Sequence, residues 1–220
     1  MNNLRINVGC GNTPTNDWIN YDNSLSIVIS KLPMFIPKVL LFLGLIKNPH
    51  LSYITFLKAS FIRYGNILKG LPNKDESVSV LYTSHMLEHF DIFEAEIFCK
   101  EAQRLLVPGG VIRIVVPDIV IKINQYLDHN DADLFIESLN ICIPRPKNLF
   151  QKFYAKFIQN SYGFHHRMYD SSSLIKLLKN NNFIDIKSLP PGETMIENPG
   201  SLDLREGESE SLYVEARKAF

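Results

Sequence analysis

The sequence predicts an α/β fold built on a doubly wound, mostly parallel sheet of seven strands, and two observations carry that prediction. A short β-branched run ends at Gly9-Cys10-Gly11, and a second short apolar run ends at Asp22. Strand-like and helix-like segments then alternate through most of the remaining chain. In open α/β sheets, glycines after a strand let the backbone approach a ligand and a following carboxylate accepts ribose hydroxyls. We therefore expect an adenosine-containing ligand at the carboxyl ends of the first strands.

Composition indicates a single domain over residues 1–220 and limits the kinds of partner. The chain is 45% hydrophobic and 21% charged, with a formal net charge of +0. Zero net charge argues against nucleic acid as a partner, since that needs a basic surface. Cys10, Cys99 and Cys142 lack C-x-x-C spacing, which indicates a reducing compartment without disulfides. With no charged-then-apolar leader at the N-terminus, we expect a cytoplasmic location.

The segments after the second strand follow a regular order. A short third strand is expected within 61–66, a buried strand over 77–83, a helix over 90–106 and a strand over 111–116. Pro108-Gly109-Gly110 is expected to end that helix, and Asp118 to cap the next. Residues 119–160 have helical periodicity with breaks at 129–130 and 144–146. Asp170 is expected to cap a helix over 171–179.

The last two strands are predicted over residues 183–189 and 212–216. They are separated by 190–211, a polar stretch with Pro and Gly but no helical periodicity. A late pair of this kind is typical of an antiparallel hairpin that completes a parallel sheet with helices on both faces.

Residues 24–62 are unusually apolar and have helix-like spacings, which predicts a helical insertion between the second and third strands. Its apolar run Val39–Ile46 is too short to span a bilayer. The sequence leaves three roles open for this insertion: a lid over the ligand, a peripheral contact with a membrane or partner, or helices packed on their own domain.

Five motifs occur in a recognisable order: VGCG, WINYD, SHMLEHF, PGG and VPD. With them the chain resembles the class I S-adenosylmethionine-dependent methyltransferases, in the group often linked to cell-surface polysaccharide synthesis. The resemblance covers nearly the whole chain except 24–62 and roughly 130–160. It implies a Rossmann-like fold, S-adenosylmethionine as cofactor and methyl transfer as the reaction.

The resemblance also implies a set of cofactor-binding residues. Gly9 and Gly11 would shape the turn under the methionine part, with Cys10 as the small residue between them. Asp22 would accept both ribose hydroxyls, Asn66 would lie near the adenine, and Ser84 and His85 would lie nearest the transferable methyl group. Cys10 is interpreted as a filler of the turn rather than a nucleophile, since nothing near it in sequence would lower its pKa.

The chain departs from the family pattern at the first turn. Asn12-Thr13-Pro14 replaces the usual third glycine, and Asp22 follows Gly11 after only eleven positions instead of about twenty. The first helix is therefore expected to be vestigial or replaced by a loop. The cofactor pocket would then be more open unless residues 24–62 cover it.

His85, Glu88 and His89 are the candidate catalytic residues. Methyl transfer is an in-line displacement that needs alignment, and an alcohol acceptor needs a base to remove its proton. Histidine suits that role near neutral pH. If the helix has begun by then, His85 and His89 form an i, i+4 pair facing the pocket. The alternative is structural: the acid and the second histidine would hold the strand–helix junction.

Residues 130–169 are predicted to form a helical segment on the acceptor side. Within 162–169, His165, His166, Arg167 and Tyr169 are candidate substrate-binding residues, because tyrosine stacks on rings and arginine binds carboxylate or phosphate. The alternative is that the tyrosines pack in the core while the charged residues are solvated. No metal is expected, since His85, His89, His165 and His166 show no local third ligand.

The resulting hypothesis is an S-adenosylmethionine-dependent methyltransferase that acts on oxygen of a glycan or lipid-linked glycan intermediate in the cytoplasm. One alternative is a lipid or quinone acceptor, with peripheral membrane contact through 24–62. Another is a non-catalytic partner subunit that retains the cofactor fold, motivated by the missing glycine and by Asn66 where an aspartate is usual.

Overall fold

The computed structural model describes residues 4–142 and 164–220, and its centre is a seven-stranded sheet. The strand order is β3-β2-β1-β4-β5-β7-β6, in which β1 to β5 are parallel and β7 runs antiparallel to both β5 and β6. The bounds are β1 Leu4–Val8, β2 Ile19–Asp22, β3 Ile62–Tyr64, β4 Val78–Ser84, β5 Leu106–Pro117, β6 Phe183–Leu189 and β7 Ser211–Lys218. The predicted fold class and its terminal hairpin are confirmed.

Seven α-helices lie within the described ranges. They are α1 Leu25–Ser30, α2 Phe35–Phe42, α3 Asn48–Ala59, α4 Ile92–Leu105, α5 Ile119–His129, α6 Ala132–Ser138 and α7 Ser171–Asn180. Two of the expected caps are present: Asp118 accepts from the Val120 N–H at the start of α5, and Asp170 accepts from the Ser173 N–H at the start of α7. The predicted break at 144–146 lies outside the described residues.

One face of the sheet packs against α4 and α7. Alternate residues of the central strands point to this face, among them Ile6, Leu81, Ile114 and Val214, each completely buried. From α4 the residues Ala95, Phe98, Ala102 and Leu105 meet them at helical spacing. This layer is the main hydrophobic core.

The other face differs from the expectation of helices on both faces. Helices α1 and α3 cover only its β2–β3 end, where Cys10, Ile27, Leu57 and Ile62 form a small core. Over the middle of the sheet lies the irregular segment 190–210, which buries Ile196 and Leu202 against a second set of strand residues. That set is Trp18, Val80, Tyr82, Val111, Val115 and Tyr213. The short connection from β1 to β2 has no room for a helix, so the segment before β7 covers this surface.

A buried ion pair fixes that covering segment. Arg113 on β5 and Glu215 on β7 are directly opposed across the strands, fully buried, with Nη1 and Oε1 at 2.6 Å. Arg113 also donates to the carbonyl oxygens of Glu193 and Leu204, and Glu215 accepts from the Thr194 hydroxyl and the Met195 N–H. Both Nη atoms of Arg113 and both oxygens of Glu215 therefore have partners, while the buried Arg113 Nε has none.

One predicted boundary is wrong. Pro108-Gly109-Gly110 does not end the helix, because α4 already ends at Leu105 and Leu106 is extended. The three residues instead lie inside β5, which begins at Leu106 and pairs there with Val78. A register irregularity between Val78 and Val80 accommodates them.

Removal of one partner from the buried pair is expected to destabilise the protein strongly. Arg113→Met leaves the Glu215 carboxylate buried without its cation, so the free energy of unfolding should fall by about 3–5 kcal/mol. Urea unfolding monitored by far-UV circular dichroism measures this change.

The matched control is Arg205→Met. Arg205 pairs with Glu208 on the surface, with exposed side-chain fractions of 60% and 51%. This change should cost less than about 1 kcal/mol. Equal effects of the two substitutions would contradict an anchoring role for Arg113.

Candidate active site

The turn after β1 requires glycine at its first position. Gly9 has φ of +71°, and a Cβ added there would lie 2.5 Å from the Met86 sulfur. The Gly9 N–H donates to the Tyr21 carbonyl oxygen at 2.8 Å, which holds the turn against the end of β2. Gly11 differs, because a Cβ there would meet no atom within 4 Å. On the side where a Cβ would lie, a ligand can therefore approach the Gly11 backbone.

Asp22 lies at the end of β2 and is held in place by two backbone donors. Its Oδ2 accepts from the Gly11 N–H at 3.0 Å, and its Oδ1 accepts from the Ser24 N–H at 2.7 Å. A carboxylate has about four acceptor sites, so both oxygens can accept further hydrogen bonds from a ligand. The glycine turn and the carboxylate therefore act as one rigid unit.

A cavity of about 170 Å³ joins this unit to the end of β4. It lies at the carboxyl ends of the parallel strands, where α/β sheets bind ligands. The residues around it are Val8, Gly9, Asp22, Asn23, Gly65, Asn66, Ile67, His85, Met86, His89 and Phe90. Predicted cofactor and catalytic residues thus meet around one space.

The segment after β4 does not continue as the expected helix. His85 has φ of +48°, Leu87–His89 form a single 3-10 turn, and α4 begins only after the Asp91 cap. The condition for an i, i+4 pairing of His85 with His89, a helix already begun at His85, is therefore not met, while the helix expected over 90–106 is present from Ile92. Both rings border the cavity nevertheless, because the tight turn after the left-handed residue brings them to the same side.

Glu88 is a buried carboxylate beside two histidines. Its side chain is 1% exposed, and Oε1 lies 3.5 Å from His85 Nδ1 and 4.0 Å from His165 Nε2. Hydrogen bonding to Glu88 raises the pKa of His85 despite partial burial, and Glu206 and Glu210 add to the rise. Burial lowers the pKa of His165. His85 is therefore the histidine that takes up a proton more readily.

The Nε2 side of the His85 ring contacts the start of β7. Its Nε2 lies 3.1 Å from the Ser211 hydroxyl, and a Cβ added at Gly207 would come within 2.8 Å of the same nitrogen. The covering segment thus reaches from the second face to the catalytic candidate. Glu210, which precedes Ser211, pairs with Lys122 of α5.

The predicted acceptor-side residues lie next to Glu88. The N–H groups of His166 and Arg167 donate to the Glu88 carbonyl oxygen at 2.8 and 3.1 Å. The His89 ring contacts the His165 ring edge-on at 5.2 Å. Tyr169 is 1% exposed and belongs to the main core, which favours the packing alternative for this residue. Residues 143–163, within the predicted helical segment, lie outside the described part.

Glu88, His89 and His165 also bring three potential metal-ligand atoms within 4.8 Å of one another, although the sequence showed no local third ligand. Bonds of about 2.1 Å to a tetrahedral ion would place such atoms about 3.3 Å apart. Glu88 Oε1 and His165 Nε2 are 4.0 Å apart, so this pair is wider than in a formed zinc shell. The absence of a metal stays a prediction.

The remaining predicted cofactor residues have different surroundings. Asn66 borders the cavity, but its Oδ1 also accepts from the Leu68 N–H and caps a 3-10 turn. Ser84 does not border the cavity. Cys10 packs in the small core beneath α1 and α3, and burial raises the pKa of its thiol to about 12. That environment fits the filler interpretation, since a nucleophile needs a lowered pKa.

Sequence reasoning did not identify several residues that fix the site. Tyr53 of α3 donates to the Gly11 carbonyl oxygen at 3.1 Å, and Glu206 accepts from the Tyr82 and Thr13 hydroxyls. Ser211 contacts His85. These residues are 42 to 193 positions from their partners, so no local pattern marks them.

The comparisons with known proteins agree with this geometry. Residues 48–114 match a family model described as a methyltransferase domain. A comparison with curated proteins finds no matching sequence. Among solved structures, an S-adenosylmethionine-dependent methyltransferase from Methanosarcina mazei is similar with a TM-score of 0.53 and 13% identity, covering 100% of this chain and 95% of that one.

A second solved structure is a Haloferax volcanii methyltransferase in complex with the Trm112 activator. It is similar with a TM-score of 0.51 and 10% identity, over 99% of this chain and 82% of that one. Both structures show that the fold is the Rossmann-like methyltransferase fold. Together, the domain match and the fold support the assignment of this protein as a methyltransferase with S-adenosylmethionine as its cofactor.

Gly9→Ala is expected to weaken both the fold and cofactor binding. The left-handed backbone costs an L-residue about 1–2 kcal/mol, and the contact with Met86 adds to that cost. Gly44→Ala is the matched control, because Gly44 has φ of +68° and no atom within 4 Å of its Cβ position. Thermal unfolding and titration with S-adenosylhomocysteine measure the two effects. If both variants lose the same stability, the contact with Met86 is unimportant.

The three cysteines are expected to differ sharply in reactivity. Cys10 and Cys99 are buried and burial raises the pKa of each thiol to about 12, whereas Cys142 is exposed. In the native protein at neutral pH, a disulfide reagent should modify one thiol quickly, and Cys142→Ser should remove that fast reaction. Rapid modification of Cys10 would contradict its buried role in the turn.

Proposed function

We propose that this protein transfers the methyl group of S-adenosylmethionine to a hydroxyl of a glycan or lipid-linked glycan intermediate, with His85 as the general base. The observation that supports this most directly is one cavity that both Asp22 and His85 border, with Glu88 3.5 Å from the His85 ring. A candidate ribose-binding group and a candidate proton acceptor thus face the same space.

The residues present fit the cofactor. Asp22 has acceptor capacity left for ribose hydroxyls, no atom lies within 4 Å of the Cβ position of Gly11, and Asn66 borders the same cavity as Asp22. Gly9, Cys10 and Gly11 would lie under the methionine part. When bound, S-adenosylmethionine supplies an electrophilic methyl group on a sulfonium sulfur.

In this cavity, His85 would take the proton of the acceptor hydroxyl at Nε2, relayed through the Ser211 hydroxyl that lies 3.1 Å from this nitrogen. Glu88 holds the ring through Nδ1 and stabilises the imidazolium that forms, while Ser211 limits rotation of the ring from the Nε2 side. His89 is oriented by the Phe164 carbonyl oxygen, 3.0 Å from its Nδ1, and borders the cavity as a positioning residue. Holding donor and acceptor in line supplies the rest of the rate enhancement.

His165, His166 and Arg167 would contact the acceptor. The Glu88 carbonyl oxygen ties their backbone to the catalytic turn, so a contact on this segment would position the acceptor relative to His85. Arg167 lies over the Tyr169 ring at 5.5 Å, which leaves a planar guanidinium suited to carboxylate or phosphate groups of a sugar.

A lipid or quinone acceptor is the second candidate. The exposed apolar side chains of 24–62 favour it, because the chain enters and leaves this segment next to the cavity. Labelled methyl donor incubated with fractionated cell envelopes separates the two after mild acid hydrolysis, which releases glycans from their lipid carriers, because label would then appear in a water-soluble glycan in one case and in a solvent-extracted lipid in the other. A non-catalytic partner subunit would transfer no label.

Asp22→Ala is expected to abolish binding of S-adenosylhomocysteine in isothermal titration calorimetry. The substitution removes the proposed acceptor for both ribose hydroxyls and releases the Gly11 N–H. Asp203→Ala is a control on the opposite segment, where its carboxylate accepts from the Arg205 N–H. Binding by the Asp22 variant at the parental affinity would contradict the cofactor site.

The rate should rise with pH through the pKa of His85. The neutral ring is the base, and Glu88 holds the pKa above the ordinary value of about 6.5. Glu88→Gln removes that carboxylate, so the acidic limb of kcat/KM should move to lower pH and kcat should fall. His85→Ala should lower kcat by about 10²- to 10⁴-fold.

The control for this profile is Glu197→Gln, an exposed carboxyl on the covering segment. It should leave both kcat and the acidic limb of the kcat/KM profile unchanged, and each variant should still bind S-adenosylhomocysteine. An acidic limb that stays in place in Glu88→Gln would show that His85 is not the base.

A further inference from the structure

The positive charge of this neutral protein is concentrated on one part of the chain. Residues 23–74 contain no aspartate or glutamate but seven basic residues. These are Lys31, Lys38, Lys47, Lys58, Arg63, Lys69 and Lys74. Since the formal net charge of the whole chain is +0, the remainder has a net charge of −7. Four of the seven, Lys31, Lys38, Lys47 and Lys58, lie in the insertion 24–62, which therefore has a net charge of +4 and favours an anionic partner.

The same part exposes an unusual number of large apolar side chains. Of the 21 exposed large apolar side chains in the described residues, nine come from 24–62. They are Leu25, Val28, Leu32, Phe35, Val39, Phe42, Leu43, Leu45 and Phe61. Phe42 and Phe61 are 90% and 95% exposed. The alternative in which this insertion is buried on its own domain does not account for these residues.

The helices order these side chains into outward faces. In α2, Phe35, Val39 and Phe42 follow i, i+4, i+7 spacing, and Pro37 is its buried residue. In α1, Ile27 is buried towards the domain while Leu25 and Val28 are exposed. The insertion is thus anchored on its inner side and presents apolar residues on its outer side.

We propose that residues 24–62 form a docking surface that rests on a bilayer containing anionic phospholipid. Aromatic and aliphatic side chains would enter the boundary between headgroups and acyl chains, and Lys31, Lys38 and Lys47 would neutralise lipid phosphates. In the part of the chain that the structure describes, no helix is long and apolar enough to cross a membrane. The docking surface therefore lies on the bilayer.

The docking surface begins and ends at the mouth of the cavity. Asn23 precedes it, Gly65 and Asn66 follow it, and all three border the cavity. Tyr53 of α3 donates to the Gly11 carbonyl oxygen, which connects the surface to the glycine turn. If the proposed methyl transfer holds, an acceptor attached to a lipid would reach the cavity without leaving the membrane.

Vesicle flotation with the full chain tests this inference. The parent should float with vesicles of phosphatidylcholine containing phosphatidylglycerol, bind pure phosphatidylcholine much more weakly, and lose affinity as salt is raised. Phe35→Ser/Phe42→Ser and, separately, Lys31→Glu/Lys38→Glu should each lower the partition coefficient about tenfold or more.

Two matched controls lie outside the docking surface. Phe93→Ser/Phe220→Ser removes side chains that are 72% and 94% exposed, close to the 66% and 90% of Phe35 and Phe42. Lys176→Glu/Lys179→Glu makes the same charge change on exposed positions of α7. Both controls should float like the parent.

Three results would overturn the proposal: no flotation of the parent, equal losses in the controls, or binding independent of anionic lipid. A parental dimer that Phe35→Ser/Phe42→Ser dissociates, without flotation, would show instead that the surface joins two copies. Titration with S-adenosylhomocysteine is run on every variant. Failed flotation with intact titration leaves the proposed methyltransferase standing, and the reverse result leaves the docking surface standing.

Discussion

The buried ion pair between Arg113 and Glu215 is the interaction on which the arrangement of this protein depends. The two residues face each other on adjacent strands, and the groups that satisfy them come from the irregular segment 190–210. The attraction within a buried charge pair offsets its desolvation only when further hydrogen bonds are made to the two groups. That requirement holds an otherwise unstructured stretch flat against the sheet. The same segment then leads into Ser211 of β7, which contacts His85.

The shortened connection between β1 and β2 explains why the segment 190–210 has to cover the sheet. Ten residues cannot form the usual first helix, so the middle of one sheet face would be exposed. Trp18 and Tyr82 lie on that face and are covered by Ile196 and Leu202. The loss of one helix near the N-terminus is thus compensated by a segment near the C-terminus. The cofactor turn keeps its position because Asp22 bonds directly to the Gly11 N–H.

Local signals in the sequence were sufficient for most of the fold. Alternation in Val78–Ser84, the Asp118 and Asp170 caps, and the polar stretch before the last strand each report on neighbours in sequence. They gave the strands, the helix starts and the antiparallel hairpin. The cofactor end of the site followed in the same way, because Gly9, Gly11 and Asp22 lie within fourteen residues of one another.

What could not be predicted depends on distant contacts or on backbone conformation at one residue. The left-handed His85 converts an expected helix start into a 3-10 turn, and histidine gives no sequence signal for that conformation. The pairing of Arg113 with Glu215, and the contact of Ser211 with His85, join residues more than 100 positions apart. Periodicity reports only which face a residue occupies, and it does not identify the partner across the sheet.

The position of β7 between β5 and β6 has a consequence for the order of folding. The last strand in the sequence is an interior strand of the sheet, so β5 and β6 are joined only after it inserts. Contacts between residues far apart in sequence form slowly, because chain entropy is lost before they stabilise the structure. During synthesis, the face that carries Trp18 therefore stays open until the C-terminal residues have emerged. A chain stopped before Ser211 would retain the glycine turn but lack the strand that completes the sheet.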